Sequence, residues 1–481
     1  MNQGERNMQG QKPGYTTTKM TKEQFFQAYK KLAQGDEKHI LLESGRGGEM
    51  CIAGIDPLVT LQAMEGDRLR MEWRDGRSEI REGDPLHLLT EFVQDFEMER
   101  VPELPAFQGG VLGFISYDYV RRYETLPDLA QDDLGTPDLY FYLFDRWAVF
   151  DIATETAYFM TLPDCQEAPS AVAAQWLDAA SATQKPKWEN VSADYKMPEQ
   201  VDVSVTGPEF EQMVRDVQHY IAQGDVIQVN LTVRQSQASA VAPLDMYEAL
   251  RALNPSPYMA SLGAPEFAVV SGSPELLLKK RGDELSTRPI GGTRRRGQDE
   301  KEDAALQAEL LSNEKEKSEH KMLVDLEMKD FEGVCMPGTV ETDEFMVIEK
   351  YSHVMHLVSN VRGTAAEGLS NAEIIQGIFP GGSITGDPKL RTMEIIEELE
   401  PTRRGLYTGS IGWFDFNGDA ELNIVIRTAY IKDGIAHIQA GAGLVAESVP
   451  EAEYIESLNK AKALWQAKEM AESLNRITEE G

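Results

Sequence analysis

Cysteine is scarce: three in 481 residues, Cys51, Cys165 and Cys335, in the contexts GEMCIAG, LPDCQEA and EGVCMPG. An odd, scattered set excludes a disulfide framework and has no metal-ligand spacing. It points to a reducing, cytoplasmic setting. No apolar run reaches the roughly 18 residues of a membrane-spanning helix. The polar start MNQGERNMQGQKPGYTTTK lacks the apolar core of a secretory signal, so residues 1–20 read as a disordered lead-in. Basic residues are outnumbered 47 to 80, for a net charge of −33. That balance excludes a nucleic-acid partner, which needs clustered Lys and Arg. In such a field a small anionic ligand needs local positive charge or a cation. No internal repeat of fixed short period is present.

What is present is a chain of ordinary apolar content, 41%, in two parts. Residues 21–180 mix short apolar runs with turn signals; VLGFISYDYV and DLYFYLFDRWAVFDI read as buried strands. Residues 181–206, opening with SATQKPKWENVSADYKMPEQ, read as a linker. The second part, 207–475, opens with TGPEFEQMVRDVQHYIAQGD. Pro208 near the start, apolar Phe210, Met213, Val214, Val217 and Ile221, and a closing Gly224 predict a helix. In VIQVNLTVRQS, Ile227, Val229, Leu231 and Val233 alternate with Gln228, Asn230 and Thr232, the period of a strand with one apolar and one polar face. The polar face meets either water or a polar cavity.

Two acidic pairs share helical spacing. Glu453 and Glu456, with Lys460, fall on one face of EAEYIESLNK; Glu316 and Glu319 do so in LSNEKEKSEHKMLVDLEMKD. Each pair alone reads as a solvated face. Brought together they would repel unless a divalent cation lay between them, and Mg²⁺ takes such oxygen ligands. FPGGSITGDPK and AGAG offer backbone N–H groups to an anion, although the first lacks phosphate-loop spacing. Arg427, in the apolar run LNIVIRTAY, needs an internal acid or an anionic ligand. His356 lies in an apolar run, and it, His353 and His320 read as core histidines.

The stretches GDVIQVNLT, NPSPYM, SGSPELL, TRPIGGTRRRG, KSEHKMLVDLE, YSHVMHLVSNVRG, FPGGSITGDPKLRTMEIIEELEP, RRGLYTGSIGW and AGAGLVAESVPEAEYIESLNKA occur in that order. Together they resemble the chorismate-utilising enzymes, across essentially the whole chain. The resemblance implies an α+β fold with large, mostly antiparallel sheets and packed helices, residues 21–180 forming a lobe against a catalytic part at 207–475. It implies Mg²⁺ held by Glu319 and Glu456, with Glu316 and Glu453 supporting through water, and chorismate as substrate. Arg427 and Tyr407 match the positions that hold the enolpyruvyl carboxylate, with Gly441, Gly443, Lys460, Gly291 and Thr293 also lining the substrate site. His356, Ser383 and Gln228 match catalytic positions. Ser44, Pro257, Tyr258 and Met259 resemble the family's tryptophan pocket.

The position of Gln228 carries a lysine base in water-using branches of the family. Glutamine has no basic nitrogen, so ammonia is the expected nucleophile. No cysteine lies in a glutaminase-type turn, which implies a separate glutamine amidotransferase subunit. FPGGSITG and YTGSIGW resemble the aminodeoxychorismate-forming branch, with the anthranilate-forming branch next. Gly291, in PIGGT, excludes the covalent lysine that many aminodeoxychorismate-forming relatives carry there. The family pattern D-L-x-R-N-D-L-x-R-V is here DLEMKDFEGV, with Met328, Lys329 and Gly333 replacing Arg, Asn and Arg, and G-A-P-K is GDPK, with Asp387. These departures put a non-catalytic chorismate-binding relative in play as an alternative.

Overall fold

The computed structural model describes residues 8, 10–44, 49–181, 201–351 and 354–479, with side chains through residue 474. His353 and residues 182–200 of the expected linker lie outside them. The chain is mixed α+β, as expected, built on two twelve-stranded sheets with antiparallel pairing throughout.

Both sheets draw strands from both parts of the sequence. In the first, strand His39–Glu43 pairs with Tyr258–Gly263, Glu43 opposite Met259. In the second, Gly110–Ile115 pairs with Ser410–Asp415, Ile115 opposite Ser410. The reason lies in composition: GVLGFI and SIGWFD are buried at every position, so each needs a strand beside it and cover on both faces. Between the sheets one apolar core runs from Leu61, Phe114 and Phe141 to Val269, Trp413 and Phe414. No described helix is long and apolar enough to cross a membrane. The three cysteines are free.

The predicted helix forms over Gly207–Gln223, with a capping box between Thr206 and Glu209 and a left-handed stop at Gly224, φ 80°. Strand Gln228–Ala238 follows. Here the alternation needs one correction: Ile227 precedes the strand and is exposed. Its N–H donates to the Asp387 carbonyl at 2.8 Å. The polar face meets protein, since Gln228, Thr232 and Arg234 are all buried. Within the stretch read as a linker, Asp202–Val203 adds a short strand to the same sheet.

Arg427 is also placed differently from its expected strand-like run. Strand Ala420–Asn423 belongs to the second sheet and Thr428–Lys432 to the first. Arg427 stands at the crossing between them with φ 50°, a left-handed conformation that costs energy for a residue with a side chain. The chain makes a parallel crossing at Pro274–Glu275, between Phe267–Ser273 and Leu276–Arg281. The Glu275 carbonyl accepts from Ile424 N–H at 3.0 Å, tying the two crossings together.

Candidate active site

The two crossings lie side by side, and several of the expected site residues gather around them. Glu275 lies at the centre. It is buried, and burial pushes its carboxyl up to about 7, against the opposing pull of Ser383, the Arg427 charge and the Ile290 N–H. Ser383 Oγ faces Glu275 but falls short of hydrogen-bond geometry and has no partner. Tyr407 is buried close enough for the Glu275 charge to act on it; burial is the main force raising its hydroxyl pKa. Glu275 was not singled out from the sequence. Its only signal was an acid after proline in SGSPELL, between two apolar runs.

Arg427 makes no ion pair and no side-chain hydrogen bond among the described residues; burial lowers its pKa and only the charge of Glu275 opposes this. Arg427 is partly buried, and a guanidinium drawn out of water usually has a partner. This one keeps its donors for something else.

His356, on strand Val354–Thr364, is buried, its Nδ1 3.0 Å from Thr293 Oγ1 and its ring edge-on to Tyr351. Burial, then the Arg427 charge, lowers its pKa to about 4, so the ring is neutral at pH 7. Gly291, on the adjacent strand Ile290–Arg295, is backed by His320: a Cβ at Gly291 would lie 2.5 Å from His320 Nδ1. His320 is a core histidine, bonded through Nε2 to Ser359 Oγ at 2.7 Å.

Strand Ile435–Leu444 forms a second wall. It pairs with Gln228–Ala238 along its length, Asn230 opposite Gly443 and Thr232 opposite Gly441, but its other neighbour pairs only as far as Ile438. Backbone groups of residues 439–444 are therefore open on that side among the described residues. Glycine is required here by close approach. A Cβ at Gly443 would lie 2.8 Å from Gln228 Nε2, and one at Gly441 2.4 Å from the Leu231 carbonyl. Lys460 Nζ donates to the Gly441 carbonyl at 2.8 Å and pairs with Glu456 at 3.0 Å. Arg404 ties the walls together, donating to the Asn230 and Ile384 carbonyls while pairing with Glu400 and facing the Tyr407 ring.

The four glutamates lie on helices Glu314–Glu332 and Pro450–Lys460. Lys315 pairs with Glu319 at 3.4 Å and feels the charge of Glu453, so the helices approach at this point. Glu316 is held by Arg294 at 2.8 Å. Burial, with Glu456 next in effect among the raising influences, lifts the Glu453 pKa. Among the described residues no three acidic, His or Cys side chains are grouped as a metal site. The donors are nonetheless all carboxylate oxygen, which suits Mg²⁺, and the lysines on Glu319 and Glu456 supply the positive charge the acids call for.

Ser44, Pro257 and Tyr258 line a large cavity, ≈790 Å³, and with Met259 a smaller one of ≈40 Å³ beside it. Pro274 and Leu276, the chain neighbours of Glu275, line the ≈790 Å³ cavity too, with Ile290 and Tyr351.

Two of the four departures from the family pattern touch each other. Lys329 Nζ lies 3.2 Å from Asp387 Oδ1.

Residues 37–466 match the model of the chorismate binding enzymes, and the chain belongs to that family. It is 48% identical over 463 residues to aminodeoxychorismate synthase component 1 of Bacillus subtilis (strain 168), covering 95% of this chain and 97% of that one. It is 42% identical over 449 residues to anthranilate synthase component 1 of Thermus thermophilus, covering 93% and 95%. The crystal structure of anthranilate synthase component I from Streptococcus pneumoniae TIGR4 superposes with a TM-score of 0.76 at 32% identity, covering 88% of this chain and 93% of that one.

Proposed function

We propose that this chain is component 1 of an aminodeoxychorismate synthase. It would aminate chorismate to 4-amino-4-deoxychorismate, for p-aminobenzoate and folate synthesis, with ammonia from a glutamine amidotransferase subunit. The observation that carries this reading is the pair at the sheet crossings: a partly buried guanidinium, Arg427, unpartnered among the described residues, beside a buried acid, Glu275, raised to about 7. A dianionic substrate with a poor leaving group needs both. Arg427 and Tyr407 hold the enolpyruvyl carboxylate. Lys460 and the open backbone at Gly441 and Gly443 border the ring, and Thr293 fixes the neutral imidazole of His356 beside it. Mg²⁺ would be held by Glu319 and Glu456, with Glu316 and Glu453 in support, and when bound supplies positive charge against the ring carboxylate.

As the C4–O bond breaks, Glu275 gives its proton to the departing hydroxyl, with Ser383 alongside. Water leaves. Ammonia forms the new C–N bond and sheds one proton, which restores Glu275. Gln228, next to Gly443, cannot deprotonate water, which favours ammonia as nucleophile. With Gly291 backed by His320, no side-chain amine is available at that position and ammonia reacts directly. The cavity at Ser44 would hold tryptophan.

The second reading is anthranilate synthase, favoured by the small residue at 291 and by the 42% identity to the Thermus protein. Incubation with chorismate, Mg²⁺ and ammonium at alkaline pH, followed by mass and fluorescence detection, separates them. Aminodeoxychorismate, converted to p-aminobenzoate by added lyase, is expected. Anthranilate would establish the second reading, and binding without turnover would indicate a non-catalytic relative.

A further inference from the structure

The departures at positions 329 and 387 are remote in sequence, yet the fold joins them. Lys329 lies on helix Glu314–Glu332, thirteen residues beyond Glu316 on the same rod. Asp387 lies on the two-residue strand Gly386–Asp387, opposite Gln228 in register. Its carbonyl accepts from Ile227 N–H, so the same residue grips the helix with its side chain and the entry to the Gln228 strand with its backbone. At the next helix residue, Asp330 holds Lys389 at 2.7 Å, and Lys389 also donates to the Ile378 carbonyl at 2.9 Å. The ion pairs run in opposite senses, acid to base and base to acid, across one helix–loop contact. Ser383 lies in the segment between Ile378, whose carbonyl Lys389 holds, and Asp387.

We propose that Lys329 and Asp387 form a positioning pair that fixes the Gln228 strand and the Ser383 loop against the helix bearing Glu316 and Glu319. It does in this chain what an uncharged Asn–Ala combination does at the same two places in the family pattern. A lone Asp387 would put negative charge beside the path of a dianion; a lone Lys329 would leave the loop tied to the helix by the Asp330–Lys389 pair alone. The pair acts through Gln228 and Ser383, without touching substrate. As a site for the reacting groups it rests on the function proposed above, but its mechanical part does not.

The test is a double-mutant cycle on the full chain: Lys329→Met, Asp387→Asn and the double variant, with Lys329→Arg as the conservative control. Each single change is expected to lower kcat/KM for chorismate about two- to fivefold, the scale of a half-exposed ion pair. The loss should fall mainly on KM, with Tm nearly unchanged. The double variant should be no worse than the poorer single, since coupled sites are not additive, and Lys329→Arg should match the wild type. Hydrogen exchange at the Ile227 amide should quicken about two- to fivefold in either single variant, and this is read without any turnover. Multiplicative single effects, or unchanged exchange, overturn the pair. If the wild type fails to turn chorismate over while the exchange cycle behaves as expected, the function reading fails and the positioning pair stands.

Discussion

Glu275 and Arg427 show how two residues can be costly for folding and useful for chemistry. Burial holds the Glu275 carboxyl near 7 instead of its ordinary 4.5. The unfolded chain therefore loses this proton first. The cost to folding grows as pH rises from about 4.5 to about 7 and stays constant above. Glu275→Gln should thus be at least as stable as wild type at pH 8, with the advantage vanishing near pH 4. Its kcat should nevertheless fall about 10²- to 10⁴-fold, the usual scale for loss of a general acid. In the wild type, kcat/KM at constant free ammonia should decline above about pH 7. A variant with normal turnover would remove Glu275 from the reaction. Arg427→Met should raise KM for chorismate about 10- to 100-fold, the worth of a hydrogen bond to a charged group. It should not lower Tm, because the guanidinium has no internal partner to lose. A large drop in Tm would mean that the side chain serves the fold.

At the scale of elements, strand packing explains which side chains the site tolerates. Strand Ile290–Arg295 lies against helix Glu314–Glu332 with Gly291 over His320. Placing a lysine there, as in many aminodeoxychorismate-forming relatives, would force His320 off Ser359. Gly291→Lys is expected to destabilise the protein by about 1–3 kcal/mol and to yield no covalent substrate adduct by mass spectrometry; an adduct would show that the histidine yields easily. The helices bearing the glutamates behave differently. Lys315 on one feels the charge of Glu453 on the other, and Lys315 and Lys460, both on the protein surface, hold Glu319 and Glu456, partners that a cation can displace. Mg²⁺ should raise Tm in a concentration-dependent way, and Glu319→Gln with Glu456→Gln should abolish the shift.

For the whole molecule, the decisive feature is that the two parts of the chain share both sheets. Cutting between residues 181 and 201 would leave Glu43 without Met259 and Ile115 without Ser410, exposing long sheet edges. Residues 1–181 and 201–481 expressed separately should aggregate, whereas co-expression should give a complex that turns over chorismate. Two fragments that fold alone would show independent domains. The sequence by itself determined the buried strands within VLGFISYDYV and DLYFYLFDRWAVFDI, though Tyr117–Arg122 turns into a 3-10 helix, the helix from Gly207 to Gln223 and the ordered family stretches, because local periodicity, caps and turn residues are written in adjacent positions. It did not reveal that Arg427 and Glu275 meet at paired sheet crossings, or that Lys329 answers Asp387. Those relations join residues 152 and 58 apart in the chain, and only long-range pairing of buried strands brings such groups within reach of each other's charge.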